Sequence, residues 1–150
     1  MEILWRWAPN LGRMADVPDP SSLTEDEWRA RLSPDQYAVL REGATEPAFA
    51  GAHTDTEDPG MYRCSGCGAE LFSSETKFHS GSGWPSFWAA ADPDRIEERR
   101  GASHGMVRTE ILCARCGGHL GHVFPDGPKE TTGMRYCVNS LALDLDPAED

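Results

Sequence analysis

Cys64-Ser65-Gly66-Cys67 and Cys113-Ala114-Arg115-Cys116 are the stretches that decide the fold. Each is a Cys-x-x-Cys knuckle, a turn that points two sulfurs at one ion. The glycines behind them, Gly68 and Gly117, suit such a turn. Forty-five residues separate Cys67 from Cys113, longer than a simple zinc ribbon allows. The knuckles therefore bring together two hairpins distant in sequence, with the ion as their cross-link. One structural Zn²⁺ per chain fits best, because zinc accepts four thiolates and does no redox chemistry of its own. The other readings are two disulfides, a redox-active pair, or an iron–sulfur cluster. Such knuckles occur in many unrelated proteins, so they predict architecture rather than activity.

The fifth cysteine stands apart, in Arg135-Tyr136-Cys137-Val138-Asn139. Four thiolates close a tetrahedral site and leave it no open position, so chemistry falls to the remaining thiol. Arg135, Cys137 and Asn139 are spaced two apart, which on a strand places all three on one face. A neighbouring guanidinium is expected to lower the thiol pKa, and Asn139 adds an amide that orients a ligand or a neighbour. The alternative is an inert core cysteine. Upstream, His119-Leu120-Gly121-His122-Val123-Phe124 carries two histidines three apart, suited to proton transfer near neutral pH and unneeded as metal ligands. Gly81-Ser82-Gly83-Trp84-Pro85-Ser86-Phe87-Trp88 holds three aromatics within five residues. They form either the wall of an apolar pocket or a hydrophobic plug.

Around these motifs lies a single domain of 150 residues, with 39% apolar residues, 15 Gly and 11 Pro. That composition points to a loop-rich, mainly β (α+β) fold. Strands are expected at Met61-Tyr62-Arg63, Glu70-Leu71-Phe72, Val107 to Leu112, Leu120 to Phe124 and Met134 to Leu145. Two short helices precede them. Thr24 with Glu27 and Ser33 with Gln36 form capping boxes, Pro34 sits at N1, and Gly43 ends the second helix. Both are read as a small lid on the domain. The domain is expected over residues 22–146, with a flexible extension over 1–21 and a tail over 147–150; Met14 is an alternative start. A net charge of -11 and the lack of a basic stripe exclude a nucleic-acid partner. No apolar run reaches the length of a membrane span, and the first residues lack the apolar core of a secretory signal. A reducing, cytoplasmic setting follows as the expectation.

Taken together these residues resemble the B-type methionine sulfoxide reductases. The matching pieces are the two knuckles, Gly83-Trp84-Pro85-Ser86-Phe87, Ser103-His104-Gly105-Met106, Gly118 to Pro128, and Arg135 to Ser140. The resemblance implies two antiparallel β-sheets of the β-tent type with short N-terminal helices and a structural zinc away from the active site. It implies reduction of the R epimer of methionine sulfoxide in peptides and proteins, an oxidative-stress repair activity. Cys137 is then the nucleophile and Trp84 packs on the substrate methyl, with Phe124 also in the binding site. His119, His122 and Asn139 surround the sulfoxide oxygen, and Arg135 supports the thiolate. Many family members carry a resolving cysteine where this chain has Ser82, so the resemblance implies a one-cysteine form. Its sulfenic acid is then reduced by an external thiol: thioredoxin, glutaredoxin or a small molecule. His79 stands where an acidic residue is common in the family, with no clear consequence. A monomer is expected. The competing readings are a zinc-stabilised binding module, which has no need of an Arg-x-Cys-x-Asn face, and a zinc-ribbon nucleic-acid binder, which the charge opposes.

Overall fold

The computed structural model describes residues 23–103 and 106–147. The expected extension over 1–21, the Met14 start, the His104-Gly105 pair and residues 148–150 lie outside the described residues.

Both predicted caps form. Helix α1 (Glu25–Arg31) begins where the Thr24 hydroxyl accepts from the Glu27 amide at 3.2 Å, while the Thr24 amide donates to the Glu27 carboxylate at 2.8 Å. Helix α2 (Pro34–Glu42) repeats the device with Ser33 and Gln36, and stops at Gly43 in the left-handed region, φ 74°. Helices this short do not persist alone in water, so packing must hold them. Trp28, Val39 and Leu40 supply it. They rest on the knuckles: a Cβ added at Gly66 meets the Trp28 ring at 3.3 Å, and one at Gly118 meets Leu40 at 2.9 Å. Arg41 stacks over the Trp28 ring at 4.6 Å and donates to the Cys116 carbonyl at 2.9 Å. The helical lid thus covers the cysteine cluster.

The strands are β1 (Gly60–Cys64), β2 (Glu70–Ser73), β3 (Lys77–Phe78), β4 (Ser86–Phe87), β5 (Ile96–Ser103), β6 (Met106–Cys113), β7 (His119–Phe124), β8 (Arg135–Val138) and β9 (Leu143–Pro147). They make two antiparallel sheets, ordered β2-β1-β9 and β3-β4-β8-β7-β6-β5. This is the mainly β architecture expected. Phe72 stacks on Phe87 with centroids 4.5 Å apart, and Tyr62 meets Phe87 edge-on at 5.2 Å, so rings from both sheets share one core. Truncating a buried ring such as Phe87 to alanine costs about 3–5 kcal/mol.

One strand expectation needs correction, and β5 is not among the strands expected from the sequence. Met134 to Leu145 is not one strand: a 3₁₀ turn at Ser140–Ala142 divides it, and β8 and β9 enter different sheets. The first knuckle takes the intervening backbone. Ser65 donates through its amide to the Ala142 carbonyl at 2.9 Å and through its hydroxyl to the Leu141 carbonyl at 2.8 Å. Strand β5, Ile-Glu-Glu-Arg-Arg-Gly-Ala-Ser, has no apolar alternation to announce it and forms by pairing along β6.

Strand β7 lies against β8 at Gly121, where a Cβ would stand 2.0 Å from the Cys137 carbonyl oxygen. Backbone cannot yield as a side chain does, so Gly121→Ala is expected to cost at least about 1–3 kcal/mol. Thermal unfolding checks this; an unchanged Tm would contradict the close approach.

Candidate active site and metal centre

Cys64 and Cys67 sit at the turn of the β1–β2 hairpin, Cys113 and Cys116 at that of β6–β7. Gly68 (φ 82°) and Gly117 (φ 77°) take the left-handed conformation that the knuckle turn demands. All four side chains are buried, and their sulfurs lie within 4.8 Å of one another. The Sγ atoms of Cys64 and Cys116 are 3.7 Å apart, and those of Cys67 and Cys113 are 3.6 Å apart. A tetrahedral ion with Zn–S bonds of about 2.3 Å puts its sulfurs about 3.8 Å apart, whereas a disulfide needs about 2.05 Å. The donor set fits a metal ion. Thiols this close also share protons: hydrogen bonds from Cys113 and Cys116 push Cys67 down, and hydrogen bonds to Cys113 push Cys64 and Cys116 up. A cation relieves that competition.

None of these cysteines lines the second feature, a cleft of about 230 Å³ at the far end of β7. Two of its lining residues, His122 and Cys137, belong to a cross-strand row. Ser86 on β4 is opposite Cys137 on β8, Cys137 is opposite His122 on β7, and His122 is opposite Glu110 on β6. Directly opposed residues point to one face with Cβ atoms about 4.5–5.5 Å apart. His122 and Cys137 are therefore neighbours by register. Trp84 and Phe124 wall the cleft, and Thr45, Ser82, Arg108 and Arg135 edge it.

The two histidines have different places. On a regular strand, residues three apart face opposite ways. Between Ile111 and Leu112 the β6–β7 register shifts, so that Leu112 pairs with His119 and Ile111 with Gly121. The irregularity brings the two imidazoles together, edge to face at 5.7 Å. His122 lines the cleft; His119 does not. It lies behind, 6% exposed, with Nδ1 2.5 Å from the Glu110 carboxylate and a buried Nε2 that has no partner among the described residues. Burial, and then the charges of Arg108 and His119, push the His122 pKa down, so its imidazole is neutral at neutral pH.

Arg135 forms a two-pronged pair with Asp126 at 2.9 and 3.3 Å and lies over the Phe124 ring at 4.4 Å. Asp126 is 64% exposed, so the pair adds little stability and serves to aim the guanidinium. The expected depression of the Cys137 pKa does not follow. Burial pushes the thiol up, and the Ser82 hydroxyl (3.9 Å from Sγ) and Arg135 offset this only in part. The resting residue is a thiol at neutral pH.

Asn139 lies just beyond β8, buried, and its amide is used structurally. Nδ2 donates to the Leu120 carbonyl at 3.0 Å, and Oδ1 accepts from the Glu46 amide at 3.0 Å. That leaves it one N–H. Glu46 also accepts from the Trp84 indole through its carbonyl at 2.9 Å and from the Leu141 amide through its carboxylate at 3.0 Å. One loop residue thereby fixes two sides of the cleft. Sequence reasoning missed Glu46, Glu110 and Asp126; only Glu110 had a signal, as a lone carboxylate in a strand beside the second knuckle. Of the aromatic block, Trp84 reaches the cleft and Phe87 goes to the core, so both expected roles are filled.

A SelR domain family profile matches residues 32–147. The chain is 56% identical over 129 residues to peptide methionine sulfoxide reductase MsrB of Synechococcus sp. (strain RCC307), covering 86% of this chain and 94% of that one. It is 56% identical over 126 residues to the protein of that name from Thiobacillus denitrificans, covering 84% and 95%. Against that from Bradyrhizobium diazoefficiens it is 58% identical over 124 residues, covering 83% and 88%.

Because the ion-binding geometry doubles as a fold constraint, replacing any one of Cys64, Cys67, Cys113 or Cys116 with serine should abolish stoichiometric metal and lower Tm together. Metal analysis alongside calorimetry checks this. A variant that kept both would remove its cysteine from the site.

Proposed function

Since the chain belongs to the SelR family of B-type methionine sulfoxide reductases, an oxidoreductase family, we propose that it reduces methionine-R-sulfoxide in peptides to methionine with Cys137 as nucleophile. The observation that carries this reading is the register placing Cys137 beside His122 in the lining of a cleft walled by Trp84 and Phe124.

The chemistry follows from those neighbours. Neutral His122 takes the Cys137 proton as the sulfur attacks the sulfoxide sulfur, and returns it to the sulfoxide oxygen, with Asn139 helping to hold that oxygen. The attack joins the two sulfurs in a sulfurane. The S–S bond then breaks as the protonated oxygen passes to Cys137, so the substrate loses its S–O bond and Cys137 gains one. The substrate sulfur gains two electrons, Cys137 loses two, and the products are methionine and a Cys137 sulfenic acid. His119 and Glu110 keep the His122 ring in place from behind, and Arg135 stabilises the developing thiolate. A pyramidal sulfur with its methyl on Trp84, its oxygen at His122 and its lone-pair side at Cys137 fits in one hand only, which favours a single epimer.

Two equivalents of an external thiol then restore Cys137. The first condenses with the sulfenic acid to a mixed disulfide and water, and the second releases it. Thioredoxin, glutaredoxin or a small thiol fills this role, in a reducing cytoplasmic setting. The four-cysteine centre holds one structural zinc, away from the reaction. Among the described residues no helix is long and apolar enough to cross a membrane.

With excess dithiothreitol, the protein should reduce a peptide carrying the R epimer and not the S epimer, and Cys137→Ser should abolish turnover. The reacting pair is a protonated thiol beside a neutral imidazole, so kcat/KM should hold level through neutrality. It should fall in acid as His122 gains a proton, and fall in alkali as Cys137 loses its own. Turnover surviving in Cys137→Ser would move the nucleophile elsewhere. A second test uses Ser82, whose hydroxyl is 3.9 Å from the Cys137 sulfur. In Ser82→Cys the new thiol should capture the sulfenic acid after one turnover as an intramolecular disulfide, visible as the loss of two hydrogens in mass. A dimedone-reactive sulfenic acid persisting in that variant would count against a resolving position at 82.

A further inference from the structure

The cleft, at about 230 Å³, lies below the usual range for sites that enclose a whole drug-sized ligand. It takes one side chain, so the rest of a peptide must lie along the rim. Just outside the residues that line the cleft, against Gly83, stands Phe49. Its ring is 71% exposed, and its backbone is in the left-handed region at φ 64°. Aromatic residues rarely adopt that conformation, and glycine would take it without strain. The ring contributes little to the core, so its use is outside the fold.

The surroundings hold Phe49 in place. Its amide donates to the Gly83 carbonyl at 2.7 Å, and a Cβ added at Gly83 would meet two of its ring carbons at 2.9 Å. One ring edge therefore lies on the residue before Trp84, and the rest of the ring faces solvent. Three residues earlier, Glu46 ties the same loop to the Trp84 indole and the Asn139 amide. Phe49 is thus tied to the Trp84 wall through Gly83 and Glu46, with its ring outside the residues that line the cleft. Among the described residues the other large apolar side chain this exposed is Val107.

We infer that Phe49 is a specificity-determining residue, a docking platform for an apolar side chain flanking the oxidised methionine of a peptide substrate. This rests on the reductase reading above. A ring held rigidly before binding loses little entropy on contact, so apolar flanking residues gain affinity there while the reacting atoms are untouched. The preference appears in KM for peptides and is absent for free methionine sulfoxide, which has no flanking residue.

The test compares wild type with Phe49→Asn, since asparagine tolerates the left-handed backbone and keeps the loop. Substrates are free methionine-R-sulfoxide and two peptides with one R-sulfoxide, flanked by leucines or by serines, with excess dithiothreitol. Wild type should favour the leucine-flanked peptide, and Phe49→Asn should erase that preference through a roughly tenfold rise in its KM, with kcat and free-sulfoxide turnover unchanged. Equal kcat/KM for the two peptides in wild type, or an equal loss on all three substrates, overturns the inference. Absence of turnover on every substrate by wild type would instead sink the reductase reading, and this inference with it.

Discussion

Four buried sulfurs within 4.8 Å of one another mark the point where the two sheets meet. The cysteine cluster ties the turn of the β1–β2 hairpin to the turn of β6–β7, and those hairpins belong to different sheets. Everything else at that end is arranged around it. The helices lay Trp28 and Leu40 on the knuckle glycines, Arg115 donates to the Cys67 carbonyl at 3.1 Å, and Ser65 bends the chain between β8 and β9. With 26 Gly and Pro residues among 150 and a core of modest size, the fold has few long regular elements to rely on. An ion held by the four cysteines would cross-link the hairpins and supply stability that a larger core would otherwise give.

Strand β7 carries the consequence from one end of the molecule to the other. It leaves the second knuckle, passes Gly121 closely against β8, and delivers His122 beside Cys137. The register irregularity near its start turns His119 to the same side, where Glu110 holds it. Rigid sheet positions, rather than loops, thus set Cys137 and His122 beside each other, which is how a site gains fixed geometry. The apolar wall is fastened differently, by a single loop residue, Glu46, that bonds at once to Trp84, Asn139 and the turn after β8.

The reactivity of Cys137 is a balance of opposed effects. Burial raises its pKa, while Ser82 and Arg135 lower it. Arg135 spends much of its field on Asp126, which explains why proximity in sequence overstates its influence. A protonated resting thiol beside a neutral imidazole suits a reaction whose oxygen acceptor needs a proton. In the proposed reaction the same proton serves both partners.

The sequence alone determined what depends on local spacing and side-chain chemistry. Paired knuckles supply four thiols suited to one ion, the capping boxes at Thr24 and Ser33 start helices, Gly43 stops one, and alternation around Cys137 sets three residues on one side. These follow from a few neighbouring bonds, so one stretch of chain contains them. Tertiary structure decided the rest. It split Met134 to Leu145 between two sheets, because Ser65, 76 residues before Leu141, claims the backbone there. It brought Glu46 to Asn139 across a separation of 93 residues and aligned His119 with His122 through a register shift. It also raised the Cys137 pKa where sequence predicted a fall, since desolvation is a property of everything packed around a group, and no local spacing encodes it.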